Sequence, residues 1–383
     1  MKITDIEFIH APELAPELRI RGHWWIHVHT DEGVTGLGEI TRRGETVVPC
    51  IRMFQTEVLS RHDPRDVEAC WNDMFTYASP YGNSGVESRA ISAIDMALWD
   101  ILGKWTGQPV WRLLGGKCRD VVPVYLTALG GDTPEAFAAR AKELQDQGWK
   151  AAKAGPFRKG GPAMLWDDPL PRHLTPADID AGIEKLRAAR DAVGRGFEIP
   201  IDVGSRFDVP TAIRVGKALE EIEPMFFEDC VAPHSADAWA EVQRAVRVPL
   251  CAGERRFHRW DMLALLQRGG CQVLNPDLAW VGGISELRKI AHLAENYYVP
   301  LAPHDSGAVT TMARVHVMCH VPNTLYMEIQ TATPQMAEWM IGWPGIMESA
   351  IPVPDRPGLG IELKPEVLEA NERRKRAALS KTT

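Results

Sequence analysis

The 383-residue chain contains no apolar run approaching the roughly 18 residues that a membrane-spanning helix needs. Its opening, MKITDIEFIH, also lacks the apolar stretch of a secretory leader. No membrane association or export is therefore expected, and the cytoplasm is the expected location. An excess of positive charge is missing too: 43 Lys and Arg against 51 Asp and Glu give a formal net charge of −8. Nucleic acids and anionic membranes both require a basic face, so neither is expected as a partner. Basic residues gather only at RRFHR and near the end at ERRKR, which reads as a solvated tail. The seven cysteines are odd in number and form no CxxC pair. They read as reduced core residues rather than a disulfide frame or a zinc site of that type.

What is present is the composition of a soluble globular protein, 45% hydrophobic and 25% charged, and a regular series of acid-base residues. Asp202, Glu228, Glu254, Asp277, His304 and Glu328 follow one another at intervals of 26, 26, 23, 27 and 24 residues. Each closes a short apolar run: IPID, MFFE, PLCAGE, QVLNPD, VPLAPH and LYME. Such an interval fits one strand, one helix and two short loops. In a barrel of parallel strands, side chains at the strands' carboxyl ends converge on one pocket, so the linear series becomes a ring.

Two regions frame this series. Residues 1–120 open with strand-like segments, including HWWIHVHTDEGVTGLGEI, whose DEG turn is a hairpin signal. A helical pattern follows, ending in SRAISAIDMALWDILGKWTG. Over residues 121–349, VPVYLTAL, KAAKAG and FEIPIDVG supply strands one to three of an eight-stranded α/β barrel. The excess length after strand two, FRKGGPAMLWDDPLPRHL, reads as a lid or substrate-contacting loop.

The residue types in the ring point to a chemistry. Asp202, Glu228 and Glu254 make an all-oxygen donor set suited to a hard divalent cation, Mg²⁺ being the natural occupant. Asp277 can orient His304 and raise its proton affinity, making it a general base. A metal beside an oriented base suits abstraction of a proton next to a carboxylate. Glu328, if kept protonated, could donate a hydrogen bond to that carboxylate, and Lys153 on strand two could add positive charge.

Taken together, TDEGVTGLGE, SAIDMALWDILGK, GQPVWRLLGG, IDVGSR, FFED, AGER, NPDLAWVGGISE, APH and PGLGIEL resemble the mandelate racemase subgroup of the enolase superfamily. Within that subgroup they are most similar to the sugar-acid dehydratases. The resemblance implies a modified (β/α)₇β TIM barrel under an N-terminal α+β capping domain, the cap being completed by residues 350–383. It places Asp202, Glu228 and Glu254 on the Mg²⁺ ligands, Asp277 and His304 on the His-Asp dyad, Glu328 on the carboxylate-stabilising acid, and Lys153 on the first lysine of a KxK motif. A homo-oligomer is also implied.

Two positions depart from the family pattern. The second lysine of KxK is Gly155, with Lys150 a poor substitute on the opposite side of the strand. The histidine expected two residues after the first metal ligand, an acid for the departing hydroxyl, is Gly204. Racemisation normally needs a base on each face, whereas β-elimination of water can run with one. Dehydration of a small hydroxy-acid or sugar-acid carboxylate is the expected activity. The same enolate chemistry in a racemase, epimerase or cycloisomerase is the second reading, and a non-catalytic binding protein on the same fold is the third.

Arg206, His234, Tyr77 and Tyr81 are candidate substrate contacts, the tyrosines with Asn83 in a loop rich in Gly, Pro and Ser. The histidines of HWWIHVH read as a solvated or packing face rather than a metal site. His316 and His320 of HVMCH lack the adjacent Glu of a zinc protease, and read as core or surface residues.

Overall fold

The computed structural model describes residues 1–11, 23–157 and 173–379. Three antiparallel strands open the chain: β1 (Ile3–Ile9), β2 (Trp24–Thr30) and β3 (Thr35–Ile40). The DEG turn joins β2 to β3, with Gly33 at φ 77° and its N–H donating to the Thr30 carbonyl at 3.2 Å. This sheet packs on the helix Val86–Thr106, in which nearly every residue from Ser88 to Ile101 is buried. Contact is closest at Gly36 and Gly38. A Cβ at either would lie 2.1 or 2.2 Å from the helix carbonyls of Ala97 and Ala93, so no larger residue fits.

The barrel follows as β4 (Val121–Leu129), β5 (Ala152–Ala154), β6 (Ile201–Asp202), β7 (Phe227–Glu228), β8 (Leu250–Ala252), β9 (Val273–Leu274) and β10 (Met327–Gln330). They lie side by side in parallel in the order β10, β4, β5, β6, β7, β8, β9. Helices follow the strands as the interval of the sequence requires, and several begin at side-chain caps. Thr133, Thr175, Asp208 and Ser235 each accept the N–H three residues on, satisfying one of the helix's otherwise unpaired donors. Strand eight, β10, is followed instead by the six-residue helix Ala332–Ala337, which gives the (β/α)₇β architecture.

The seventh strand differs from expectation. The VPLAPH segment makes isolated bridges, Leu274 to Leu301, Leu301 to Thr324 and Asp277 to His304, rather than a continuous ladder. Pro300 and Pro303 have no N–H to donate, so the ring closes here through a few bonds. Among them are Ala302 N to Leu274 O at 2.7 Å and Leu325 N to Leu301 O at 2.8 Å.

The rest of the chain returns to both parts. β12 (Ala350–Pro352) pairs antiparallel with β4, and β11 (Met340–Ile341) pairs with β13 (Glu362–Leu363). ERRKR lies in the helix Pro365–Leu379 rather than in a tail. There Asn371 accepts the His10 N–H at 3.1 Å and Lys375 pairs with Glu7 at 2.8 Å. Of the stretch read as a lid, residues 157–174, all but Phe157, His173 and Leu174 lie outside the described residues.

Contacts between the N-terminal helices and the barrel concentrate beside one functional position. Ser92 Oγ accepts from Gly282 N at 2.9 Å, Trp71 Nε1 donates to Gly282 O at 2.7 Å, and Asp95 accepts from both Ser285 N and Ser285 Oγ. This network fixes the segment that begins at Asp277. Cap and barrel are therefore joined where one member of the proposed dyad is held.

Candidate active site

The short barrel strands bring the six cadence residues to one end of the barrel. Asp202 and Glu228 are register partners on β6 and β7. Glu254 stands two residues beyond β8, Asp277 bridges to His304, and Glu328 lies on β10 beside Tyr125 of β4. Lys153, on β5, is almost completely buried among them. Its ammonium lies 3.1 Å from both oxygens of Glu228 and 2.8 Å from Glu328 Oε1.

These contacts decide the protonation states. Burial alone would discharge Lys153, but Glu228 and Glu328 outweigh it and hold the ammonium charged. Glu328 likewise resists burial. Lys153 and His304 hold it at about 2, and it accepts hydrogen bonds from Thr127 Oγ1 and from Asp305 N at 3.2 Å. In this arrangement Glu328 accepts hydrogen bonds, and the donor beside it is Lys153. Glu254 is also kept near 2, His304 and Arg255 overcoming its burial. Glu228 moves the other way, raised by burial and by the crowding of Asp202, Glu254 and Glu328 despite Lys153.

His304 is oriented by its two nitrogens. Nδ1 sits 2.8 Å from Asp277 Oδ2, and Nε2 faces Glu254 at 3.3 Å and Glu328 at 3.7 Å. Asp277 is itself held, since Ala279 N donates to Oδ1 at 2.9 Å and Ser306 Oγ donates to Oδ2. Since the carboxylate accepts from Nδ1–H, Nε2 is the atom left to take a proton. Burial disfavours the imidazolium, but Glu254, Glu328 and Asp277 together raise His304 to about 9.

The donor chemistry fits a divalent cation. Five acids of the ring crowd Lys153 and His304, and burial together with the neighbouring carboxylates raises Glu228. As arranged, Asp202, Glu228 and Glu254 do not bring one oxygen each within 4.8 Å of the other two. Protein donors engage them instead: Gly204 N reaches Asp202 at 2.7 Å, Asn275 Nδ2 reaches Glu228 at 2.9 Å, and Arg255 reaches Glu254 at 3.0 Å. Lys153 adds contacts to both oxygens of Glu228 and His304 a contact to Glu254, and a hard cation would share these carboxylates with those donors.

Several participants were not singled out from sequence, although they lie in the quoted strings. Asn275 precedes Asp277 in NPD, Arg255 follows Glu254 in AGER, and Asp229 follows Glu228 in FFED. Asp229 accepts from Arg255 Nε at 2.6 Å and from Ser205 Oγ at 2.9 Å, and burial raises it to about 7. Adjacency to a strand-end acid was the available signal. The side from which each would contribute was not readable.

The proposed substrate contacts are dispersed. Arg206 is buried just beyond β6, whereas His234 is exposed in the turn before the helix Ala236–Ala245. Tyr77 belongs to the last turn of the helix Val67–Ala78 rather than to a loop, with its ring against Phe54. Tyr81 is 87% exposed. Asn83 reaches the barrel through its carbonyl, which accepts from His258 Nε2 at 2.8 Å. Gly204 adopts φ 64°, a backbone conformation that L side chains rarely take, which explains glycine there in local terms. Lys150 is exposed, whereas Lys153 is buried.

Comparison with known proteins identifies the family. Residues 23–115 match the family described as Mandelate racemase / muconate lactonizing enzyme, N-terminal domain, and residues 136–367 match Enolase C-terminal domain-like. The chain is similar to a D-galactonate dehydratase of Variovorax paradoxus (strain S110), with 32% identity over 96% of this chain and 93% of that one. A D-galactonate dehydratase of Ralstonia pickettii (strain 12J) is 36% identical over 83% of this chain and 78% of its own length. Among solved structures, a member of the enolase superfamily from Salmonella Typhimurium superimposes with a TM-score of 0.88. It has 28% identity and covers 96% of this chain and 97% of that one.

Proposed function

From the premise that this chain belongs to the mandelate racemase / muconate lactonizing enzyme family of the enolase superfamily, we propose that it is a Mg²⁺-dependent hydro-lyase acting on a sugar acid. The observation that carries the reading is the setting of His304. Nδ1 is tied to Asp277, Nε2 turns toward the ring, and position 155 offers no second lysine. The dehydratase relatives supply the substrate class.

Asp202, Glu228 and Glu254 would hold Mg²⁺, which when bound offsets the negative charge gathering on the substrate carboxylate. In the neutral imidazole form, favoured once the charge of Glu254 is shared with a cation, His304 Nε2 takes the proton from the carbon next to that carboxylate. Asp277 stabilises the resulting imidazolium and keeps Nδ1–H in place. Lys153, fixed by Glu228 and Glu328, supplies a buried cation beside the developing charge. The proton on Nε2 then passes to the departing hydroxyl at the neighbouring carbon, releasing water. Ketonisation of the enol leaves a 2-keto-3-deoxy acid whose third carbon has gained one proton from solvent.

A single base therefore serves both halves of the elimination, consistent with glycine at 155 and 204. Incubation with Mg²⁺ and a panel of mono- and diacid sugars, D-galactonate included, should give a semicarbazide-reactive keto acid with at least one member. Epimer formation or α-proton exchange without keto acid across the panel would overturn the dehydratase assignment.

A further inference from the structure

A second group of metal-ligating side chains lies on the N-terminal sheet, away from the barrel mouth. Glu7 of β1 and His27 of β2 are direct cross-strand partners, and His29 follows two residues on, on the same face. One donor atom from each lies within 4.8 Å of the other two. Strand alternation had suggested a packing face for these histidines. The carboxylate arrives from 20 residues earlier in the chain, so the histidine spacing alone could not disclose it.

Three details separate this cluster from an ordinary surface hydrogen bond. Glu7 Oε2 and His29 Nε2 are 3.4 Å apart, long for a charge-assisted contact of about 2.7–2.9 Å. It matches the edge of a tetrahedron, since an ion with bonds of about 2.1 Å sets its ligands about 3.4 Å apart. His29 is oriented from behind, with Nδ1 3.1 Å from Thr35 Oγ1, as metal-bound imidazoles usually are. His27 Nε2 is buried with no hydrogen-bond partner among the described residues.

We propose that Glu7, His27 and His29 form a second cation site, selective for a borderline ion of the Zn²⁺ class and distinct from the all-oxygen barrel set. Two imidazoles and one carboxylate match Zn²⁺, with a fourth position left for water on the half-exposed side. Bound there, the ion cross-links β1 to β2. Glu7 also carries Lys375 on its other oxygen at 2.8 Å, so the link extends to the C-terminal helix. The expected role is to stiffen the cap rather than to take part in the reaction.

The test uses full-length protein stripped with a chelator, saturated with Mg²⁺ and titrated with Zn²⁺ by calorimetry. One Zn²⁺ site is expected, weakened at least about tenfold by His27→Ala, by His29→Ala and by Glu7→Gln, each checked for native circular dichroism. The His304→Asn variant should retain the site. Absence of Zn²⁺ binding in the Mg²⁺-loaded protein would overturn the proposal. Binding that survives all three cap substitutions, or that disappears in His304→Asn, would overturn it as well.

Discussion

Replacing Asp277 with Asn changes one oxygen to an NH₂ group and leaves shape and size alone, so its effect can be worked out from the hydrogen bonds around that side chain. Three donors converge on the carboxylate: Ala279 N on Oδ1, and His304 Nδ1 and Ser306 Oγ on Oδ2. An asparagine has one acceptor for these two directions. If its NH₂ faces His304, Nδ1 must become the acceptor and the proton moves to Nε2, which can then no longer act as base. If its NH₂ faces Ala279, two donors oppose each other at the start of the helix Leu278–Val281, at a cost of about 1–3 kcal/mol for a buried unsatisfied group. The first arrangement is therefore favoured. In the Ser-His-Asp triad the corresponding change lowers kcat by about 10⁴ through the same tautomer error. A loss on the order of 10²–10⁴ in kcat is expected here, with KM little changed. Keto-acid formation gives the rate, and ¹⁵N NMR of His304 reports the tautomer directly. Activity within about threefold of wild type with Nδ1 still protonated would refute the reasoning.

Other expectations follow from the same geometry. Glu228→Gln should weaken Mg²⁺ binding at least about tenfold by calorimetry, and unchanged affinity would count against the carboxylate triad. Gly204→His should cost about 1–2 kcal/mol of stability in urea titrations, because φ 64° penalises a side chain at that position; an unaltered midpoint would mean that the turn relaxes. His316 is buried with Nδ1 accepting from Trp111 N at 3.2 Å and Nε2 donating to Leu359 O at 3.1 Å, and burial lowers its proton affinity to about 4. The unfolded chain binds this proton near pH 6.5 and the folded chain only near 4. Stability should fall by about 3 kcal/mol as pH drops through that window and stay level above it. A His316→Gln variant should show a shallower acid slope, and identical slopes would exclude the histidine as the source.

Much of the barrel was legible because its signal is one-dimensional. Each strand-end acid follows an apolar run at a nearly fixed interval, and packing requires such a series to curl into a ring. Strand seven was legible as a position but not as a ladder, since Pro300 and Pro303 bring His304 to the mouth while donating no hydrogen bonds. The charge state of Glu328 was not legible: it depends on Lys153, which comes from 175 residues earlier and approaches only after the barrel closes. Arg255 and Asp229 were visible as letters beside Glu254 and Glu228, yet their salt bridge depends on loop conformations, Asp229 at φ 51° and Ser205 at φ 61° among them. The pairing of Glu7 with His27 and His29 depends on strand register, which alternation within a single strand does not reveal.

The central claim is that one base on one face carries out an elimination. ¹H NMR of a partly converted sugar-acid substrate in D₂O tests it most directly, with the enzyme Mg²⁺-loaded and the reaction stopped before completion. The account predicts a 2-keto-3-deoxy acid carrying one solvent deuteron at its third carbon, and residual substrate of unchanged configuration at the second. Accumulation of the second-carbon epimer in place of keto acid would contradict it and would require a base on the opposite face.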